Sequence, residues 1–158
     1  MRGFILLLVF AWASSAQPVV DGTPWWQKRM NEAYLARQKG DAGEASRLVA
    51  ETWEAVRRAG PALENFAQAV EQITQWHNPN HGVKAEGIFE AALKLVAPLG
   101  ESHPIFQQLL LGQAQFYVNR QQEVKAVHTY ERVITLLEHS DKADPWTLQA
   151  ARAALASR

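Results

Sequence analysis

The feature that most limits what this chain can become is a pattern that returns every 40 to 43 residues. With residues 44–56, 84–96 and 125–137 set in register, Ala45, Ala85 and Ala126 share one column, 40 and 41 residues apart. Val49, Phe89 and Tyr130 fall four positions later, and Trp53, Leu93 and Ile134 eight later. Val56, Val96 and Leu137 fall eleven later. Every column is apolar, and these offsets trace one helix face, because side chains three or four apart lie above one another. Pro61, Pro104 and Pro145 come next, 43 and 41 residues apart, each where a following helix should open. A hairpin of two such helices cannot cover its own apolar stripe, but a second hairpin stacked on it can.

The pattern therefore predicts an all-α chain of three stacked helical hairpins with a last, unpaired helix closing the array. Apolar residues recur three and four apart from Pro24 onward, and Gly, Pro, Asn or Asp mark the breaks. Seven helical segments follow: 24–39, 42–58, 61–76, 83–99, 104–119, 123–139 and 145–156. No long alternation of β-branched residues is present, so no sheet is expected.

The start of the chain reads differently. MRGFILLLVFAWASSAQ has a basic residue (Arg2), an apolar run from Phe4 to Ala13, and small residues at Ser14 and Ala16. That is the plan of a secretory signal peptide over 1–16, with cleavage after Ala16. The run is about half the roughly 20 residues that a spanning helix needs. Residues 17–23 read as a flexible linker and 24–158 as the repeat domain. The expected location is secreted or periplasmic, with no integral membrane span left after cleavage.

Charge and composition narrow the function. Lys plus Arg and Asp plus Glu each count 16, so there is no basic surplus of the kind that neutralises nucleic-acid phosphates. Cysteine is absent, which excludes disulfides and thiolate zinc sites. His77 and His81 are four apart but straddle Asn-Pro-Asn, which breaks the helix that could align them on a metal. His139, Asp141 and Asp144 lack regular ligand spacing, and Asp144 before Pro145 reads as a helix cap. His103 before Pro104 repeats that position. No nucleophile motif, phosphate loop or zinc-protease motif occurs. No catalytic residue, cofactor or metal is therefore nominated, and a small exported enzyme would need catalytic groups dispersed along the chain.

Residues 109–138, LLLGQAQFYVNRQQEVKAVHTYERVITLLE, resemble a tetratricopeptide repeat. Gly112 matches the small residue of that motif's first helix, Ala126 the alanine of its second, and Tyr130 the aromatic beyond it. Ala33, Gly40, Asp41 and Ala45 match the small residue, turn and alanine in the first unit. The spacing near 41 and the text KAEGIFEAALKLVAPLGESHP resemble the longer, kinesin-light-chain-like variety. The middle unit departs from the motif. Ala67 and Ala69 compete for the small position, and Glu71 falls in the column of Gly112.

The resemblance implies a right-handed superhelix whose first helices line a concave groove that binds a protein or peptide segment without catalysis. It places Gln27, Met30, Tyr34, Arg37 and Gln38 on that groove from the first unit, and Leu109, Gln113, Phe116 and Arg120 from the third. Tyr34, Arg37, Gln113, Phe116 and Arg120 are the expected partner-binding residues. Trp25 and Trp26 open the first helix as a clamp over the end of the array or as a contact for self-association, together with the final helix. Mass spectrometry of the exported protein should find Gln17 as its first residue; a membrane-bound product beginning at Met1 would instead mark an uncleaved anchor.

Overall fold

The structure, a computed structural model, describes residues 22–76, 85–141 and 144–157. The signal segment, most of the linker, and His77 and His81 lie outside the described residues. Among the described residues the chain is all-α, with no strand. The helices are α1 (Trp25–Gln38), α2 (Ala42–Ala59), α3 (Phe66–Trp76), α4 (Ala85–Val96), α5 (Pro104–Asn119), α6 (Glu123–Glu138) and α7 (Pro145–Ala156). No helix among them is long and apolar enough to cross a membrane.

Helix starts follow local chemistry. The Asp41 carboxylate accepts the Glu44 N–H at 2.9 Å and opens α2. Imidazole Nδ1 of His103 accepts the Ile105 N–H at 3.2 Å, and Pro104 fills the first turn of α5. Asp144 accepts the Thr147 N–H at 3.0 Å ahead of Pro145 in α7. Pro61 behaves otherwise. It sits in a 3-10 turn, Gly60–Ala62, and α3 begins only at Phe66. The cause is the backbone between them: Gly60 leaves α2 at φ 60°, Leu63 is extended, and Asn65 has φ 60°. None of these conformations belongs to a right-handed helix.

The turns between α1 and α2 and between α5 and α6 share one geometry. Gly40 has φ 82° and Gln121 φ 57°. The N–H after each reaches back over the helix end, Asp41 to the Ala36 carbonyl at 3.0 Å and Gln122 to the Tyr117 carbonyl at 2.9 Å. The α5–α6 turn does without glycine, Gln121 taking its place at a local cost of about 1–2 kcal/mol for a left-handed residue carrying a Cβ.

The repeat columns translate into burial with one shift. Ala45, Ala85 and Ala126 are buried, as are Val49, Phe89 and Tyr130, and Val56, Val96 and Leu137. In the column of Trp53, however, Leu93 and Ile134 are only half-buried. Two further columns lie fully inside: Leu48, Ile88 and Thr129, and Thr52, Ala92 and Val133. An apolar-only pattern overlooks these because each contains a threonine. The threonine hydroxyls are satisfied locally, Thr52 donating to the Leu48 carbonyl at 2.6 Å and Thr129 to the Lys125 carbonyl at 2.7 Å. With that bond made, the methyl group can pack like valine.

The apolar core runs without a break from Trp26 on α1 to Ala151 on α7. α1 packs along α2, α5 along α6, and α7 against α6. The middle helix α3 touches α1, α2, α4 and α5. The first helices of the three hairpins, α1, α3 and α5, thus contact one another in sequence. Met30 and Leu109, expected on the groove, are instead buried in this core. Trp26 is 0% exposed and clamps the end of the core, although its indole N–H has no acceptor.

Ala126 is fully buried on the helix that packs along α5. Ala126→Leu should overpack it and lower stability by about 1–3 kcal/mol in urea denaturation. An unchanged midpoint would remove Ala126 from a close helix contact.

Candidate functional site

The outward sides of α3 and α5 carry mostly amides, whereas that of α1 is mostly charged. On α3, Gln68 and Gln75 are exposed and Gln72 half-buried, because Phe66, Val70 and Ile73 take the opposite side inward. On α5, Gln108 and Gln115 are exposed above the buried Leu109, Leu110 and Ala114. On α1, Gln38 is exposed above the buried Met30 and Ala33. An amide offers both a donor and an acceptor, the same pair that a peptide unit presents.

Two clusters of aromatics and cations stand at the C-terminal ends of these helices. In the first, the ring of Tyr34 meets Trp76 edge to face at 5.7 Å, and the Arg37 guanidinium lies 5.6 Å from the Trp76 ring centre. In the second, Phe116 packs between Phe89 and Tyr117, 5.7 Å from each, and Arg120 sits 5.4 Å from the Phe116 ring. Such placement holds each guanidinium against a ring face while leaving its donors accessible.

The expected partner-binding residues therefore divide into two groups. Tyr34 and Arg37 belong to the α1–α3 cluster, and Phe116 and Arg120 to the α5 cluster. Gln113 differs: it is 8% exposed, and its amide donates to the Tyr117 hydroxyl over a long 3.4 Å. Its position lies on the inward side of α5. Trp76 and Tyr117 are the additions that sequence reasoning missed. Tyr117 donates to Glu86 at 2.9 Å, and Lys125 pairs with the same carboxylate at 2.7 Å, joining α4, α5 and α6. A charged residue and an aromatic 31 positions apart leave no local trace in a sequence.

Glu71 occupies the boundary between α3 and α5. A Cβ placed on Gly112 would come within 2.6 Å of its carboxylate oxygen and 2.8 Å of its Cγ. The glutamate lies where a side chain at 112 would be, so its place in the Gly112 column is compensated by glycine in the next unit. The Thr74 hydroxyl donates to the Glu71 backbone carbonyl at 2.8 Å, but no described residue gives its carboxylate a hydrogen bond or an ion pair. Burial alone pushes its carboxyl up to about 7.

Elsewhere the polar groups serve the fold. Thr147 and the backbone of the last helix hold the Asp144 carboxyl below its ordinary range. His139 is bonded to the Thr135 carbonyl at 2.7 Å, and His128 is exposed on α6. An open recess of about 490 Å³ lies on the outer side of the first hairpin, lined by Trp25, Arg29, Glu51, Glu54, Ala55 and Arg58. Trp25 is 42% exposed there, and Trp146, near the other end of the chain on α7, is 77% exposed.

The fold and this face define an all-α protein of successive helical hairpins. Comparison with protein-family models, with curated proteins and with solved structures gives no match.

The Glu71 carboxyl ionises near its ordinary 4.5 in the unfolded chain and near 7 in the folded one. The folded state binds more protons between those values, so this residue's contribution is fully present at acidic pH and is lost as pH rises through about 7. Glu71→Gln should remove that loss and exceed the parent in stability at pH about 8 by roughly 1–3 kcal/mol, with little difference near pH 4. Urea denaturation of both proteins across this range measures it; parallel curves would show an ordinary, solvated carboxylate.

Proposed function

We propose that this chain is an exported, non-enzymatic protein-interaction module of the tetratricopeptide type that binds an extended partner segment along α1, α3 and α5. The observation that carries this reading is the contact of those first helices in sequence, with amides on the outward sides of α3 and α5 and a cation–aromatic cluster toward each flank. On this reading the three hairpins form a right-handed superhelix, and the amide side is its concave surface. An open face of this breadth suits a protein segment better than a small molecule, which needs a concave site that buries most of it. Extended segments gain from main-chain hydrogen bonding, and the energy concentrates in a few aromatic and Arg contacts. Tyr34, Arg37, Phe116 and Arg120 are the proposed anchors, with Trp76 beneath the first pair. The signal-like leader read from the sequence supports a partner outside the cytoplasm.

A second reading is self-association through the array ends. Exposure of Trp25 and Trp146 favours it, whereas Trp26 is buried and drops out of any such contact.

A photo-crosslinking residue placed at Gln75 or Arg120 should capture a partner protein in the native compartment, and one at His128 on α6 should not. Alanine at Tyr34, Arg37, Phe116 or Arg120 should then weaken binding by roughly 1 kcal/mol or more at two or more positions without unfolding the chain. Adducts between two copies of the chain at Trp25 and Trp146, with none at Gln75 or Arg120, would replace the groove with the end contact.

A further inference from the structure

The amide face contains a charge that the rest of the fold does not use. Glu71 lies across Gly112 at the α3–α5 boundary, half-buried, and its carboxylate has no hydrogen-bond or ion-pair partner among the described residues. Glu86 on α4, by contrast, is engaged by Tyr117 and Lys125. The cations of the face stand apart from Glu71, Arg37 over Trp76 and Arg120 over Phe116. A carboxylate stripped of part of its water and given no partner is costly to keep, and pairing with a cation that arrives with the ligand offsets that cost. A neutral glutamine at this place would match its neighbours and remove the penalty. Neither of the charge's immediate structural effects, desolvation and the exclusion of a side chain at 112, helps the fold.

We infer that Glu71 is the specificity-determining residue of this face and receives a lysine or arginine side chain of an extended protein segment. The inference rests on the interaction-module reading above. The flanking Gln68, Gln72, Gln75 and Gln108 supply paired donors and acceptors for the main chain on either side of that basic residue. Amides bind backbone without regard to sequence, so the single acid is what distinguishes one segment from another. Gly112 is part of the device: its missing side chain leaves the carboxylate room to lie at the helix boundary with one side toward solvent.

A random dodecapeptide library displayed on phage and selected on the mature chain, on Glu71→Gln and on a Gln68→Ala, Gln75→Ala double variant tests this. All three substitutions sit on the outward side of α3, and circular dichroism checks that each variant stays helical. Peptides selected on the parent should share a Lys or Arg at one position, and selection on Glu71→Gln should lose that preference. Norleucine in place of the basic residue should weaken a selected peptide about tenfold on the parent, the size of one charge-assisted hydrogen bond, and less than about twofold on Glu71→Gln. Peptides weakened by the double variant but with no basic preference overturn the role of Glu71 and leave the groove intact. Peptides indifferent to the double variant, or no enrichment at all, overturn the groove reading and this inference with it.

Discussion

Everything in this structure depends on covering the apolar side that a single helical hairpin leaves open. α1 and α2 bury one stripe against each other, but Val56 and its neighbours still need a surface beyond the pair. α3 supplies it by touching both helices of the first hairpin while also meeting α4 and α5. The core can then run continuously to Ala151. Such an arrangement stabilises by nearest-neighbour contacts, so each hairpin holds the next and none is expected to stand alone.

Close approach is made possible by small residues and by polar groups that satisfy themselves. Ala45, Ala85 and Ala126 keep one column thin. Thr52 and Thr129 enter the interior because each hydroxyl returns to a carbonyl on its own helix. Glu71 and Gly112 solve the same spatial problem by exchange: bulk on α3 is matched by its absence on α5. The solution is sterically sound and electrostatically unfavourable, since the carboxylate loses water and gains no partner among the described residues. That imbalance separates Glu71 from the surface ion pairs on α2, such as Arg47 with Glu44 and Glu51, which remain solvated and contribute little.

The outward face follows from the inward one. Once Phe66, Val70 and Ile73 turn α3 toward the core, Gln68 and Gln75 have no choice but to face solvent. The same logic on α5 exposes Gln108 and buries Gln113, although both are glutamines on one helix. The outward surface is thus a by-product of stacking, and its chemistry is set by residues the core does not use.

The sequence by itself determined the helical class, the three-hairpin period, the capping role of Asp144, and three of the columns that pack. These are local or periodic properties, and a helix repeats its faces at a spacing that can be read directly. It misjudged Pro61, because the left-handed Asn65 and extended Leu63 that delay α3 are set by how the chain must leave α2. It nominated Tyr34, Arg37, Phe116 and Arg120 by analogy with a repeat. It could not tell that Gln113 turns inward, nor that Trp76 joins Tyr34 and Arg37. Only the tertiary structure decided those contacts, together with the Tyr117–Glu86–Lys125 junction and the meeting of Glu71 with Gly112. Each is a contact between helices distant in the chain, fixed by the rotation of one helix against another, and such rotation is decided by packing across the whole interface.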